Sequence, residues 1–252
     1  MSLSERKSSL FTFENGICFL FATYVVLNFL LRFFGTDFGR IPGDLTDSRF
    51  NNYVLEHGYR FLRGLDTSFW NAPFNYPEKN MIAYSDNFIG QLPFYSAFRL
   101  LGFTREGAYQ GWLGTAYLLN FFICWYVFYK FTSNKYASLI GAYVFAFSVA
   151  ILDQSNHTQM TARFPIPLAF YFLVRFFQEQ KHRYLLFFLL TVVGMFLNSI
   201  YLGFLLSLSL FLFSIFYLLV YRKEIQFVRF IKRKELVFNG IYVLLTILVL
   251  LS

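Results

Sequence analysis

The chain has 252 residues, of which 57% are hydrophobic, 23% aromatic and 14% charged, against roughly 25% charged residues in an average soluble domain. That balance argues against a water-soluble domain and for helices that face lipid and one another. The formal net charge is +8, but Lys and Arg fall beside apolar stretches rather than along one soluble face, so the charge is read as topological and nucleic acid is not expected as a partner.

Apolar stretches run over residues 13 to 34, 112 to 131, 136 to 152, 160 to 177, 184 to 201, 202 to 221 and 236 to 252. A bilayer core about 30 Å thick needs about 20 helical residues, and backbone amides in lipid must be satisfied within the segment. The fold class predicted is therefore all-α: a polytopic transmembrane helical bundle of about seven spans, one transmembrane domain over residues 1–252. The first stretch follows Arg6 and Lys7. It is too long for a signal-peptide core and no small-residue cleavage site follows Arg32, so an uncleaved anchor is expected.

The long insert from residue 35 to 111 comes next. Phe50, Val54, His57 and Phe61 recur at helical spacing with Arg49, Glu56 and Arg60 turned away, which predicts an amphipathic helix on the outer membrane surface. A second surface helix is expected from Phe88 to Leu101, interrupted by Pro93. Between them, Trp70 to Pro77 is too rich in Pro and Asn for regular helix.

The connections then alternate in charge. Arg6 and Lys7, Lys130 and Lys135, Lys181 to Arg183, and the cluster from Arg222 to Lys234 mark four cytoplasmic segments by the positive-inside rule. The insert 35–111, the loop from Asp153 to Gln159 and a tight turn near Ser199 must then face outward. The N-terminus is expected in the cytoplasm and the protein in a plasma membrane, the bacterial inner membrane. The chain stops inside its last apolar run, as expected for the N-terminal part of a longer protein. Cys18 and Cys124 lie within predicted spans without a partner at metal-ligand spacing, so neither disulfide nor zinc is expected.

The polar residues that carry chemistry gather on the outward side. Asp44, Thr46 and Asp47, with Arg49, Asn51 and Asn52, open the first surface helix. Capping accounts for one such residue. Two acids, an Arg and two Asn exceed that need, and a carboxylate there suits a general base or, with a partner, a divalent cation. Ser85 and Asp86 precede the second surface helix; Ser85 reads as its cap and Asp86 as a candidate to face Asp47. Asp153 and His157 occupy the loop before the fourth span. Arg163 stands at that span's start, against the positive-inside bias and beside Pro165 and Pro167, where free helical amides and a guanidinium suit a phosphate.

These segments resemble the C-type superfamily of integral-membrane glycosyltransferases (GT-C), which take sugars from polyprenyl-phosphate donors. GDLTDSRFNNYVLEHGYRFL is similar to the superfamily's first acidic motif and LDQSNHTQMTAR to its second, while YSDNFIGQLPFYSAFRLLG is similar to the second surface helix of bacterial members. The resemblance covers about residues 1 to 200. It implies transfer of a sugar from a lipid-linked donor to an acceptor at the outer face, with Asp47 as catalytic base and Asp44 as its substitute. It further implies that Asp86, Asp153, His157, Arg163 and Arg49 contact substrate, with membrane lipids as surroundings. A divalent cation, Mg or Mn, would fall to Asp47 and Asp153. Members commonly carry an acidic pair at the second position, whereas here Asp153 is followed by Gln154 and Ser155. Two rival classes stand beside this reading. A polyprenol-linked lipid flippase or transporter would place ionisable groups near the midplane of its spans, and a non-catalytic membrane scaffold would not need the two outward loops to converge.

Overall fold

The structure is a computed structural model that describes residues 13–43, 46–221 and 240–246. Among them every regular element is helical: α1 (Phe13–Phe34), α2 (Asp47–Leu62), α3 (Leu92–Leu100), α4 (Arg105–Thr132), α5 (Lys135–Phe147), α6 (Val149–Leu152), α7 (Pro165–Glu179), α8 (His182–Asn198) and α9 (Ile200–Val220), with short 3₁₀ turns at Met81–Tyr84, Asp153–Asn156 and Thr158–Met160. Among the described residues, four segments are long and apolar enough to cross a membrane: Gly16–Phe34, Arg105–Thr132, Thr158–Glu179 and Ile200–Val220. Two apolar helices, Lys135–Phe147 and His182–Asn198, are shorter.

Several expected boundaries move for local reasons. The second span begins not at residue 112 but at Arg105, because Thr104 accepts from the Gly107 amide at 3.1 Å and caps the helix there. The third is not continuous. Ser148 takes an extended conformation, ψ 153°, which ends α5 and starts the one-turn α6. At 13 residues and about 1.5 Å per residue, α5 spans only about 20 Å. The fourth starts at Pro165 after an irregular approach, and Pro in a first turn lacks only an amide that would have no helical partner. The expected last span lies outside the described residues apart from 240–246, which are helical.

Three apolar cores hold the chain together. The first joins α1, α4 and α5 around Ala22, Tyr117, Phe121, Ala142 and Phe147. The third joins α7, α8 and α9 around Ala169, Leu173, Met195 and Leu206. The second packs the insert against the start of α4, with Phe34, Leu55, Ile82, Tyr95 and Trp112 almost fully buried. α4 contributes to both of the first two cores, so its length links the membrane-type bundle to the cap of α2, α3 and their loops. α1 and α9 leave long apolar faces uncovered, including Phe19, Leu20, Phe211 and Phe216.

In the cap, Pro93 starts α3 rather than interrupting a longer helix. Glu56 faces inward, contrary to the expected outward face. It accepts from Tyr95 Oη at 2.8 Å, from Arg99 Nε at 2.9 Å and from Arg99 Nη2 at 3.1 Å, with Arg105 Nε 3.4 Å away. A buried carboxylate held this way ties α2, α3 and α4 together, and removing one partner would strand its charge. Burial and the Glu56 carboxylate push the Tyr95 phenol well above its ordinary range, so it stays a neutral donor.

Candidate functional site at the start of α2 and the loop before α7

The first turn of α2 docks against the loop that leads from α6 to α7. Asn51 is its main anchor: the buried amide Nδ2 donates to Thr158 Oγ1 and to Gln159 Oε1, both at 2.8 Å. Tyr109 of α4 lies 2.8 Å from the same Thr158 hydroxyl. Ser48, one turn earlier on the same face, reaches the Asn156 carbonyl at 3.5 Å. One turn of helix thus holds a loop more than 100 positions away, by polar contacts that are costly to leave unmade once buried.

That docking brings the two acidic segments together. His157 Nδ1 donates to Asp47 Oδ2 at 3.0 Å, with each side chain about half exposed, 48% and 49%. In a neutral ring, donation from Nδ1 would leave Nε2 a lone pair, and the Asp47 carboxylate keeps a second oxygen for a further partner. Asp153 is exposed and opens the 3₁₀ turn just before His157. Arg49 is also exposed and, among the described residues, makes no ion pair. Asp44 lies outside the described residues.

Arg163 follows on the same loop. Asn120, buried in α4, donates to the Thr161 carbonyl at 2.7 Å and accepts from the Arg163 amide at 2.8 Å, which fixes the bend before α7. The guanidinium Nε of Arg163 is buried and has no hydrogen-bond acceptor among the described residues. A charged donor in that condition favours an anion strongly.

Asp86 does not join this group. Its Oδ1 accepts from the Ile200 amide at 2.7 Å, so it caps the start of α9 rather than the helix that follows it in sequence. Ser85 likewise ends the Met81–Tyr84 turn instead of opening α3. Around Asp86 the insert makes a second docking: the Gly90 amide donates to the Leu197 carbonyl at 2.9 Å and Gln91 Nε2 to the Asn198 carbonyl at 3.1 Å. A Cβ on Gly90 would stand 2.6 Å from Asn198 Oδ1 and 3.1 Å from the Leu197 carbonyl carbon, so only glycine permits the approach. Burial raises the Asp86 carboxyl above its ordinary value, against the stabilising bonds from Ile200 and Ser199. The insert therefore touches both the Asp153–Gln159 loop and the turn at Ser199.

The cap has one further polar knot. Asp66 accepts from Arg60 Nη2 at 3.0 Å and lies 3.1 Å from His57 Nδ1, while His57 Nε2 stands 2.9 Å from the Phe69 carbonyl. Arg60 holds the Asp66 carboxyl below its usual range. Periodicity placed His57 on the apolar face of α2; it is buried there, but as a clamp on the following turn. Among the described residues no group of three or more His, Cys, Asp or Glu gathers at metal-binding distance.

These features define an all-helical protein with helices of membrane-crossing length and a polar pair held between two distant loops at one end of the bundle. Residues 57–252 match the family described as Domain of unknown function (DUF6311), and the chain belongs to that family. The matched region begins after Asp47 and includes Asp86, Asp153, His157 and Arg163. No curated protein and no solved structure matches the chain.

Proposed function

We propose that this chain is a membrane glycosyltransferase of the GT-C type, moving a sugar from a polyprenyl-phosphate-linked donor to an acceptor at the outer membrane face. One observation supports the reading above the others: Asp47 and His157, from the two segments that resemble the superfamily's acidic motifs, meet at 3.0 Å. A scaffold has no need of that meeting.

In this reading Asp47 accepts the proton of the acceptor hydroxyl, and His157, donating through Nδ1, holds the carboxylate in position. The acceptor oxygen forms its bond to the anomeric carbon as the bond from that carbon to the phosphate oxygen breaks. The lipid phosphate leaves with the electron pair, and Arg163, with its uncommitted Nε, offsets the charge. The topology proposed alongside has seven spans, with the N-terminus cytoplasmic and residues 35–111 outside the plasma membrane. It agrees with the contacts of the insert, which reach two connections that the charge pattern assigns to that same side.

The test uses the full-length protein in liposomes with a polyprenyl-phosphate hexose labelled in the sugar and a membrane extract as acceptor. Wild type should release polyprenyl phosphate and label the acceptor. Asp47→Asn should lower the rate by about 10²–10⁴-fold, the usual contribution of a general base. Equal donor consumption by the two proteins would overturn the assignment.

A further inference from the structure

α1 carries two polar residues on one face, Asn28 and Arg32, one turn apart. Both line a cleft of about 490 Å³ between α1 and the α5 and α6 segments, lined also by Phe29, Phe33, Phe147 and Leu152. That volume lies within the range of about 300–1,000 Å³ typical of ligand pockets. Arg32 sits in the last turn of α1, at the same end of the bundle as Leu152, the residue before Asp153. Among the described residues no carboxylate pairs with it.

An arginine at the end of a membrane-length helix, set in aromatic walls, is placed to meet an anionic group that reaches it from lipid. A soluble anion supplies the charge but nothing to cover Phe29, Phe33 and Phe147. A zwitterionic lipid covers the rings but brings its own cation. A lipid with a net-negative phosphate headgroup satisfies both parts: the guanidinium fork takes two phosphate oxygens, the Asn28 amide donates below it, and the chain lies on the rings. We propose that the α1–α5 cleft binds one such lipid, its phosphate on Arg32 and Asn28. The cleft is separate from the Asp47–His157 pair, so this site can exist whether or not Asp47 is catalytic.

Two sources share this chemistry, a bulk anionic phospholipid and a polyprenyl monophosphate, and the experiment separates them. Purified full-length protein in phosphatidylcholine nanodiscs is titrated with phosphatidylglycerol bearing a fluorescent tail, then challenged with polyprenyl monophosphate, phosphatidylcholine or glycerol phosphate. Saturable binding is expected, unaffected by the last two. Displacement by polyprenyl monophosphate at low excess makes the carrier lipid the occupant; resistance to it makes the occupant bulk phospholipid. Arg32→Gln should weaken binding by about tenfold or more, with Arg32→Lys recovering part of the loss. Asn28→Phe, which fills the cleft and keeps the charge, should abolish binding. Arg63→Gln, which removes an exposed cation on the cap, should leave it unchanged. Arg32 is itself exposed, so its variants are expected to fold. Binding by Arg32→Gln equal to wild type, or equal losses in Arg32→Gln and Arg63→Gln, would overturn the proposal: the first means that Arg32 only snorkels, the second that net charge alone attracts the lipid. The readout is lipid binding and not sugar transfer, which keeps the result distinct from failure of the donor site.

Discussion

His157 Nδ1 lies 3.0 Å from Asp47 Oδ2 across 110 positions of sequence, and both side chains are about half exposed. Exposed pairs of this kind contribute little to stability, about 0–1 kcal/mol, whereas the buried Asn51–Thr158 contact beside it already fixes the docking. The pair is therefore dispensable to the fold and available for chemistry. His157→Ala is expected to leave thermal unfolding nearly unchanged and to lower sugar transfer by about 10²-fold, the scale of a displaced catalytic group. Conservative rescue supplies a readout that a structural role would not move: His157→Asn, which keeps an amide donor for Asp47, should recover part of the rate at unchanged stability. Unchanged transfer in the Ala variant would remove His157 from the mechanism.

The neighbouring Asn51 makes the opposite prediction. Its Nδ2 is shared between Thr158 and Gln159, so Asn51→Leu strands the half-buried Gln159 Oε1 and leaves the buried Thr158 hydroxyl with Tyr109 alone, at about 1–3 kcal/mol in all. Unfolding temperature should fall clearly, measured in detergent, and the Asp47–His157 pairing should loosen with it. A variant as stable as wild type would mean that the loop is held by Tyr109 and Asn120 alone.

For Arg163 the two ends of the side chain separate. Its backbone amide is committed to Asn120, so substitution leaves the bend in place while changing the guanidinium. Arg163→Lys keeps the charge and loses the fork. Polyprenyl-phosphate binding should weaken in Lys and more so in Ala, by about 3–5 kcal/mol where the pair is desolvated. Equal affinity across the three proteins would assign Arg163 to the membrane surface.

Long apolar helices were legible because a period of 3.6 and a run of about 20 residues leave few other options. The two acidic segments were legible as candidates too, since their polar density exceeds what capping requires. Their partners were not. Glu56 follows the polar side of the α2 pattern, yet Arg99 and Tyr95, 43 and 39 positions away, make burial tolerable. Asp86 reads as a candidate to face Asp47, yet it caps α9 from 114 positions away. Nothing local explains Asn120, a polar residue inside a span, until its two bonds to the α7 approach are seen. Local periodicity carries no record of such long-range partners. Ser148 shows the same limit inside a span, where one extended residue divides an apolar run that reads as continuous.

The second docking, between Asp86–Gln91 and the α8–α9 turn, has its own sign test. The folded Asp86 carboxyl is raised by burial, so its contribution to stability is present below the unfolded value, near about 3.9, and declines as pH rises through the folded value. Asp86→Asn keeps the acceptor for Ile200 without the charge. It should match or exceed wild type at neutral pH and flatten the decline between pH 4 and 7. Asp86→Ala loses the cap, at about 0.5–2 kcal/mol, and Gly90→Ala overpacks the same junction by about 1–3 kcal/mol. Thermal unfolding across that pH range decides it: an Asn variant as weak as Ala would show that the anion, not the hydrogen bond, holds the turn.

The proposed topology makes the last prediction. The insert's two dockings join it to the loop before α7 and to the α8–α9 turn, so all three must lie on one side if the bundle spans a membrane. The α7–α8 connection, with Lys181 to Arg183, sits at the other ends of those helices. Thr67 and His182 are both exposed and lie on opposite sides in this arrangement. Native thiols give little background, because Cys18 and Cys124 are buried. A membrane-impermeant maleimide applied to intact cells should label Thr67→Cys and spare His182→Cys until the membrane is opened. The reverse pattern would invert the orientation while keeping the spans, because the positive-inside bias and not the packing sets it. Labelling of both in intact cells would mean that α7 and its neighbours do not cross, and the lipid-linked reaction would lose its setting.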